Sequence, residues 1–177
     1  ITTTGTVDVN TTGVYTLTYS VSDGASNETN ATRTVYVRKA HSVDLNASVK
    51  LDMFWVDPGT FTMGSPTTEV GRGTDETEHN VSLTSGFYLG KYEVTQAQYE
   101  AVMTGNSEGL SATPSNWPNN PNRPVEMVSW NDIQVFLTRL NTQQSANIPA
   151  GWAYVLPTES QWEYACRAGT TTAYSWG

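Results

Sequence analysis

Polar and apolar residues alternate along residues 13–21. Tyr15, Leu17, Tyr19 and Val21 fall on one side, Val14, Thr16, Thr18 and Ser20 on the other. A period of two is that of a strand with one buried face. Residues 22–30 are polar and contain a glycine, as a loop does. From 31 to 37 the alternation resumes, Ala31, Arg33, Val35 and Val37 opposing Thr32, Thr34 and Tyr36. The pattern predicts a hairpin, and because a lone hairpin is marginal in water, one that closes a larger sheet. Residues 38–50 hold no sustained period and read as a linker, with 48–51 starting the next strand. Residues 53–65 then read as strand, turn, strand about Pro58-Gly59, 66–80 as a polar, acidic loop, and 81–89 as a further strand.

Beyond residue 90 the period changes to that of helices. Tyr99, Val102 and Met103 are spaced i, i+3, i+4. Trp130, Ile133, Phe136, Leu137 and Leu140 form a second stripe, and Trp162, Ala165 and Cys166 a third. Each stripe follows a hydroxyl residue answered three positions later by a side chain able to reach back: Thr95 with Gln98, Ser129 with Asp132, Thr158 with Gln161. These are capping boxes, so three helix starts are readable directly. Gly169 is placed to take the left-handed conformation after the third helix. Residues 105–124, rich in Asn, Pro and Ser, predict a long irregular loop, a kind usually functional or poorly ordered. Residues 154–157 and 173–177 look like short strands. The expected class is α+β behind an all-β segment.

Composition divides the chain in the same place. Residues 1–37 hold eleven Thr and no Trp, and all six Trp lie from Trp55 onward. Up to Lys50 four basic residues balance four acidic ones; beyond it five basic face thirteen acidic, a net −8. Such a field repels phosphate backbones and argues against a nucleic-acid partner. No run of eighteen apolar residues occurs, so no transmembrane segment is expected. The chain opens ITTTGTVDVN, without Met or an apolar leader, and reads as the middle of a longer protein cut at both ends. One cysteine, Cys166, excludes an intrachain disulfide and a Cys-x-x-Cys pair.

Residues 13–37 resemble the last strands of a bacterial immunoglobulin-like repeat, with Tyr15 where such sandwiches place a corner tyrosine. The words FYLGKYEVTQAQY, RPVEMVSWND and LPTESQWEYACRAG, with the opening FTMGS, resemble the sulfatase-modifying factor family, the formylglycine-generating-enzyme domain. The resemblance implies a truncated C-type-lectin-like domain of the formylglycine-generating-enzyme type, behind a partial immunoglobulin-like sandwich module. The expected organisation is residues 1–40 immunoglobulin-like strands, 41–50 linker, and 51–177 the amino-terminal part of the enzyme-like domain. It further implies a parent that oxidises a cysteine in a sulfatase's Cys-x-Pro-x-Arg sequence to formylglycine, using a copper-binding cysteine pair. That pair and the calcium positions lie, by resemblance, beyond residue 177, so copper and calcium belong to the complete domain and no cofactor to this stretch. The implied partner is a sulfatase polypeptide or another protein, and the implied location is secreted or on a bacterial surface. The alternative is a non-catalytic lectin-like binding or structural domain.

No catalytic, cofactor-binding or metal-binding residue is assigned. Cys166 lies on the Trp162 stripe and is expected in the core, where truncation to alanine costs about 1–3 kcal/mol. His79 has only His41, in the linker, as a second histidine and is read as structural. The acidic run Glu69, Asp75, Glu76, Glu78 lacks the spacing of a calcium loop and reads as solvated. Glu159 and Glu163 are spaced as a carboxylate pair, but Glu159 suits the helix start and Glu163 an i,i+4 ion pair with Arg167. The tryptophans are assigned to the core of a loop-rich domain, a sugar-stacking role being the alternative. An incomplete domain is also expected to leave some of them poorly covered.

Overall fold

The structure, a computed structural model, describes residues 1–37 and 40–175. The chain forms two compact units, Ile1–Ala40 and His41–Gly177.

In the first unit, strands β1 (Thr2–Thr4), β2 (Gly13–Ser22) and β3 (Glu28–Val37) make an antiparallel sheet in the order β1-β2-β3. Tyr15 lies opposite Val35, Leu17 opposite Arg33 and Tyr19 opposite Ala31, so the apolar sides of both predicted strands share one face. The hairpin turn is built by Asp23, whose carboxylate accepts the Ala25 and Asn27 amides at 2.8 and 2.9 Å. The Tyr15 hydroxyl donates to the Thr11 carbonyl at 2.8 Å, tying down the chain entering β2 as a corner tyrosine does.

A strand lies where a linker was expected. β4 (Ala40–Asp44) neighbours β5 (Lys50–Val56), and Asn46 turns the chain between them by accepting the Ser48 and Val49 amides at 2.9 and 3.0 Å. Val43 and Leu51 are buried, which two apolar residues in an aperiodic stretch do not reveal. The expected strand over 81–89 is two strands, β7 (His79–Leu83) and β8 (Phe87–Gly90), and they part company. β7 pairs with β6 (Gly59–Met63), Phe61 opposite Val81; β8 pairs with β5, Trp55 opposite Tyr88. The break comes at Gly86, where a Cβ would lie 2.3 Å from the Trp55 indole.

All three capping boxes form, at α1 (Gln96–Met103), α2 (Trp130–Gln143) and α3 (Glu159–Arg167). Tyr99, Val102 and Met103 of α1 pack on Phe136 and Leu140 of α2 and on Val43 and Leu51, making the core. The Tyr99 and Phe136 rings stack with centroids 5.4 Å apart. α1 has only eight residues and would not persist alone. Its orphan backbone groups are met from outside. At the start, Gln98 Oε1 accepts the Thr95 amide, Thr95 Oγ1 the Gln98 amide, and the Arg123 and Pro121 carbonyls the Gln96 and Ala97 amides. At the end, Arg139 of α2 donates to the Val102 and Thr104 carbonyls, both at 2.9 Å.

Among the described residues, neither of the two expected short strands over 154–157 and 173–177 forms. At 154, the backbone N–H and C=O of Tyr154 pair, both at 2.8 Å, with the side-chain amide of Asn141. An amide side chain thus takes the place of a neighbouring strand. Residues 173–175 form bends and a turn, and the rest of that expected strand, Trp176 and Gly177, lies outside the described residues. At the end of α3 the left-handed conformation is taken by Ala168 (φ 48°) as well as Gly169 (φ 89°).

Two outcomes follow from this core. Met103→Ala is expected to destabilise the second unit by about 2–5 kcal/mol, the range for a fully buried large-to-small change. Tryptophan fluorescence during urea unfolding reads it, since no Trp lies in the first unit. Burial raises the phenol pKa of Tyr99, with Asp132 adding to the shift, and burial alone raises that of Tyr154. The unfolded phenols ionise first, so stability is full below their ordinary value and declines as pH rises above about 10. A tryptophan-monitored midpoint unchanged between pH 8 and 11 would contradict the burial of both rings.

Candidate functional site

Outside the core, the loop of residues 105–124 folds back on the start of α1. It remains irregular yet is tied down along its length. Asn106 accepts the Leu110 amide at 3.0 Å and donates to the Met103 and Leu110 carbonyls at 2.9 and 2.7 Å. Glu126 Oε1 accepts the Trp117 amide at 3.0 Å, and Gln96 Nε2 donates to the Trp117 carbonyl at 3.2 Å. Thr95 and Pro124 meet in a β-bridge. Between this loop and α1 opens a depression of about 350 Å³, bordered by Glu100, Thr113, Asn119 and Asn120 over apolar Ala97 and Val125. No part of it was assigned from sequence. The signal available there was the length of the loop.

The residues weighed as chemical candidates lie elsewhere and are not brought together. Cys166 is exposed, which corrects its assignment to the core. The helical period of α3 was read correctly, but the packed face is the polar one. Glu163 Oε1 accepts the Gly64 amide at 2.9 Å and the Arg167 Nε–H at 2.8 Å, while Arg167 Nη2 donates to the Gly64 carbonyl. The predicted ion pair exists, at 2.7 Å, and its work is to clamp α3 to the turn after β6. Gly64 has φ +95°, and a Cβ there would lie 2.8 Å from the Glu76 carbonyl, so this turn requires glycine. Tyr164 packs its ring on Phe61, centroids 5.3 Å apart. Glu159 stays in the first turn of α3, and the Trp162–Cys166 side faces solvent.

His79 is exposed, its Nδ1 2.9 Å from the Thr77 carbonyl. His41 lies 3.2 Å from the Tyr154 hydroxyl and beside the Tyr88 ring, within an aromatic cluster that includes Trp55 and Trp152. In the acidic run, Glu76 accepts from the Ser65 hydroxyl and the Gly73 amide, contacts that hold its carboxyl below the usual range. These donors do not match the copper and calcium sites that the resemblance implies. Among the described residues no three His, Cys, Asp or Glu side chains converge, and a copper site of two thiols would need a second cysteine besides Cys166. Four of the five described tryptophans lie outside the core: Trp117, Trp130, Trp152 and Trp162 are 70, 67, 45 and 58 % exposed, as poorly covered side chains of an incomplete domain are expected to be, and Trp55 is half-buried.

Cys166→Ala is accordingly expected to change stability by no more than about 0.5 kcal/mol, as for a surface position. A thiol reagent should label Cys166 in the folded protein. A loss above about 1 kcal/mol, or protection until unfolding, would restore the core assignment.

Comparison with known proteins agrees with this architecture. The model of the bacterial surface protein Ig-like domain matches residues 1–37, and that of the sulfatase-modifying factor enzyme 1-like domain matches residues 39–177. The formylglycine-generating enzyme of Mus musculus is 26 % identical over 80 % of this chain and 48 % of its own length. The chaperone protein LppX of Paenibacillus barcinonensis is 28 % identical over 73 % of this chain and 50 % of its own. Among solved structures, PvdO from Pseudomonas aeruginosa superposes with a TM-score of 0.61 at 25 % identity, over 76 % of this chain and 53 % of its own. Treponema denticola variable protein 1, at 24 % identity, shares the fold with a TM-score of 0.58, over 77 % of this chain and 59 % of its own. The chain spans about half the length of the curated relatives it matches. From residue 39 onward, behind immunoglobulin-like strands, this chain belongs to the sulfatase-modifying factor enzyme 1-like domain family.

Proposed function

We propose that the protein carrying this chain is a formylglycine-generating-enzyme-like protein of the bacterial surface that oxidises a cysteine of a sulfatase polypeptide to formylglycine. In it, residues 41–175 serve as scaffold and not as reaction centre. The thiol inventory carries this reading. The chain has one cysteine, exposed on α3, and no second thiol with which to form a reactive pair. The first part is supported by family membership and by the likeness to proteins named formylglycine-generating enzyme. The surface location is supported by the match of residues 1–37 to a bacterial surface Ig-like domain. That same match favours the second reading, a non-catalytic binding or structural domain displayed outside the cell.

The test is mass spectrometry of a synthetic Cys-x-Pro-x-Arg peptide incubated in air with copper. The chain of residues 1–177 is expected to leave the peptide unchanged, and formylglycine formed by it would overturn the scaffold role. The full-length protein is expected to convert the peptide. Failure there, with the protein folded and copper-loaded, would replace the oxidase reading by the binding one.

A further inference from the structure

Five Asn-x-Ser/Thr motifs lie in the chain, at Asn10, Asn27, Asn30, Asn46 and Asn80. Such a motif is the acceptor sequence of N-linked glycosylation, and in a chain rich in Asn and Thr it also arises by chance. The residue two positions earlier does not follow from that composition. It is Asp8 before Asn10, Glu28 before Asn30, Asp44 before Asn46 and Glu78 before Asn80, with Ala25 before Asn27 as the exception. Asp and Glu are 17 of 177 residues, so five motifs would carry an acid there less than once at random, and four do. In an extended segment the positions −2, 0 and +2 point to one side. A groove that draws such a segment out reads carboxylate, carboxamide and hydroxyl together, the carboxylate by a charge-assisted bond to a cation.

The fold treats the four differently. Asn30 lies in β3 opposite Ser20 of β2, and Asn80 in β7 opposite Thr62 of β6, whose hydroxyl donates to Asn80 Oδ1 at 3.3 Å. In both, the alternation of a strand accounts for the spacing, and drawing the segment out would break a ladder. Residues 8–12 instead lie in the exposed connection between β1 and β2. Asp8 accepts the Asn10 amide at 2.9 Å and the Thr11 hydroxyl at 2.6 Å, while the Asn10 carboxamide makes no hydrogen bond among the described residues. Residues 46–48 form the exposed turn between β4 and β5. Asn46 Oδ1 accepts the Ser48 amide and hydroxyl at 2.9 and 3.3 Å, so the asparagine and its +2 hydroxyl already face each other, and Nδ2 makes no hydrogen bond among the described residues. The turn alone explains an asparagine at 46. It does not require an acid at 44, whose exposed pair with Lys50, at 2.8 Å, is of a kind worth little to stability.

We propose that Asn10 and Asn46 are acceptor sites for N-linked glycosylation by an oligosaccharyltransferase that reads an acidic residue two positions before the asparagine. The donor is a polyprenyl-diphosphate-linked oligosaccharide. Asparagine Nδ2 bonds to the anomeric carbon of its first sugar as the bond from that carbon to the phosphate oxygen breaks. The lipid diphosphate leaves with the electron pair, and Nδ2 gives up one proton to a base of the transferase. In the cell the modification rests on the surface location proposed above; in solution it is tested without it.

The test incubates the folded chain of residues 1–177 with a purified acid-requiring bacterial oligosaccharyltransferase and undecaprenyl-diphosphate-linked oligosaccharide, and reads intact mass and glycopeptides. Additions of one and two glycans are expected, located at Asn10 and Asn46, with Asn27, Asn30 and Asn80 unmodified. N10Q combined with N46Q is expected to abolish modification. D44A is expected to lower occupancy at Asn46 about tenfold or more, the scale of one lost charge-assisted hydrogen bond, with Asn10 unaffected as the internal reference. S48A should abolish modification of Asn46 and S48T retain it. Because Asp44 is exposed, D44A should keep its thermal midpoint. No glycan on the folded chain while an acceptor peptide is modified, Asn30 or Asn80 occupied as fully as the two turn sites, or D44A modified at Asn46 as the original chain is, would each overturn the proposal.

Discussion

The second unit depends on keeping the eight residues of α1 helical. A helix this short gains little from its own hydrogen bonds, yet it carries Tyr99, Val102 and Met103, the most deeply buried cluster in the chain. Burying that stripe is favourable only if the backbone groups at both ends find partners. They do, from three different parts of the sequence: the Thr95–Gln98 box, the carbonyls of Pro121 and Arg123, and the guanidinium of Arg139. Gln98 also donates to the Lys50 carbonyl at 2.7 Å, linking the helix start to the first residue of β5. The path of the long loop, the approach of α2 and the position of the central sheet all follow from meeting those groups.

The same device recurs wherever a regular ladder is missing. The Asn141 amide completes the backbone at Tyr154. Glu163 and Arg167 complete it at Gly64. Gln144, buried near the end of α2, donates to the Asp44 carbonyl at 3.0 Å. A domain with short strands and much irregular backbone must satisfy its peptide groups with side chains, and amides and guanidinium groups suit this because they carry paired donors and acceptors or several donors. This is why polar residues lie inward on α3 while Trp162 and Cys166 lie outward.

The candidate site was only partly legible beforehand. A loop as long as residues 105–124 marks a place where function is common, but nothing in its Asn-Pro-Ser composition indicates that Glu126 and Gln96 would hold the backbone of Trp117. Those contacts join residues 9 and 21 positions apart through hydrogen bonds that need a particular fold of the loop. The exposed tryptophans were likewise hidden. An indole at helical spacing reads as core, and Trp130 and Trp162 both have that spacing while facing solvent.

Much of the local chemistry was legible. Capping boxes join residues three apart, and an alternating strand sets its own faces, so the three helix starts, the α1 stripe, the β2–β3 pairing of faces and the corner contact of Tyr15 were written in the chain. The partner of each strand and the packed side of α3 were decided only in three dimensions. β5 and β6 are separated by a proline-glycine turn yet pair with β8 and β7, because Gly86 ends one ladder where the Trp55 ring needs the space. α3 turns its charged side inward because the peptide group of Gly64, 99 residues from Glu163, must be satisfied, and no window of sequence contains both.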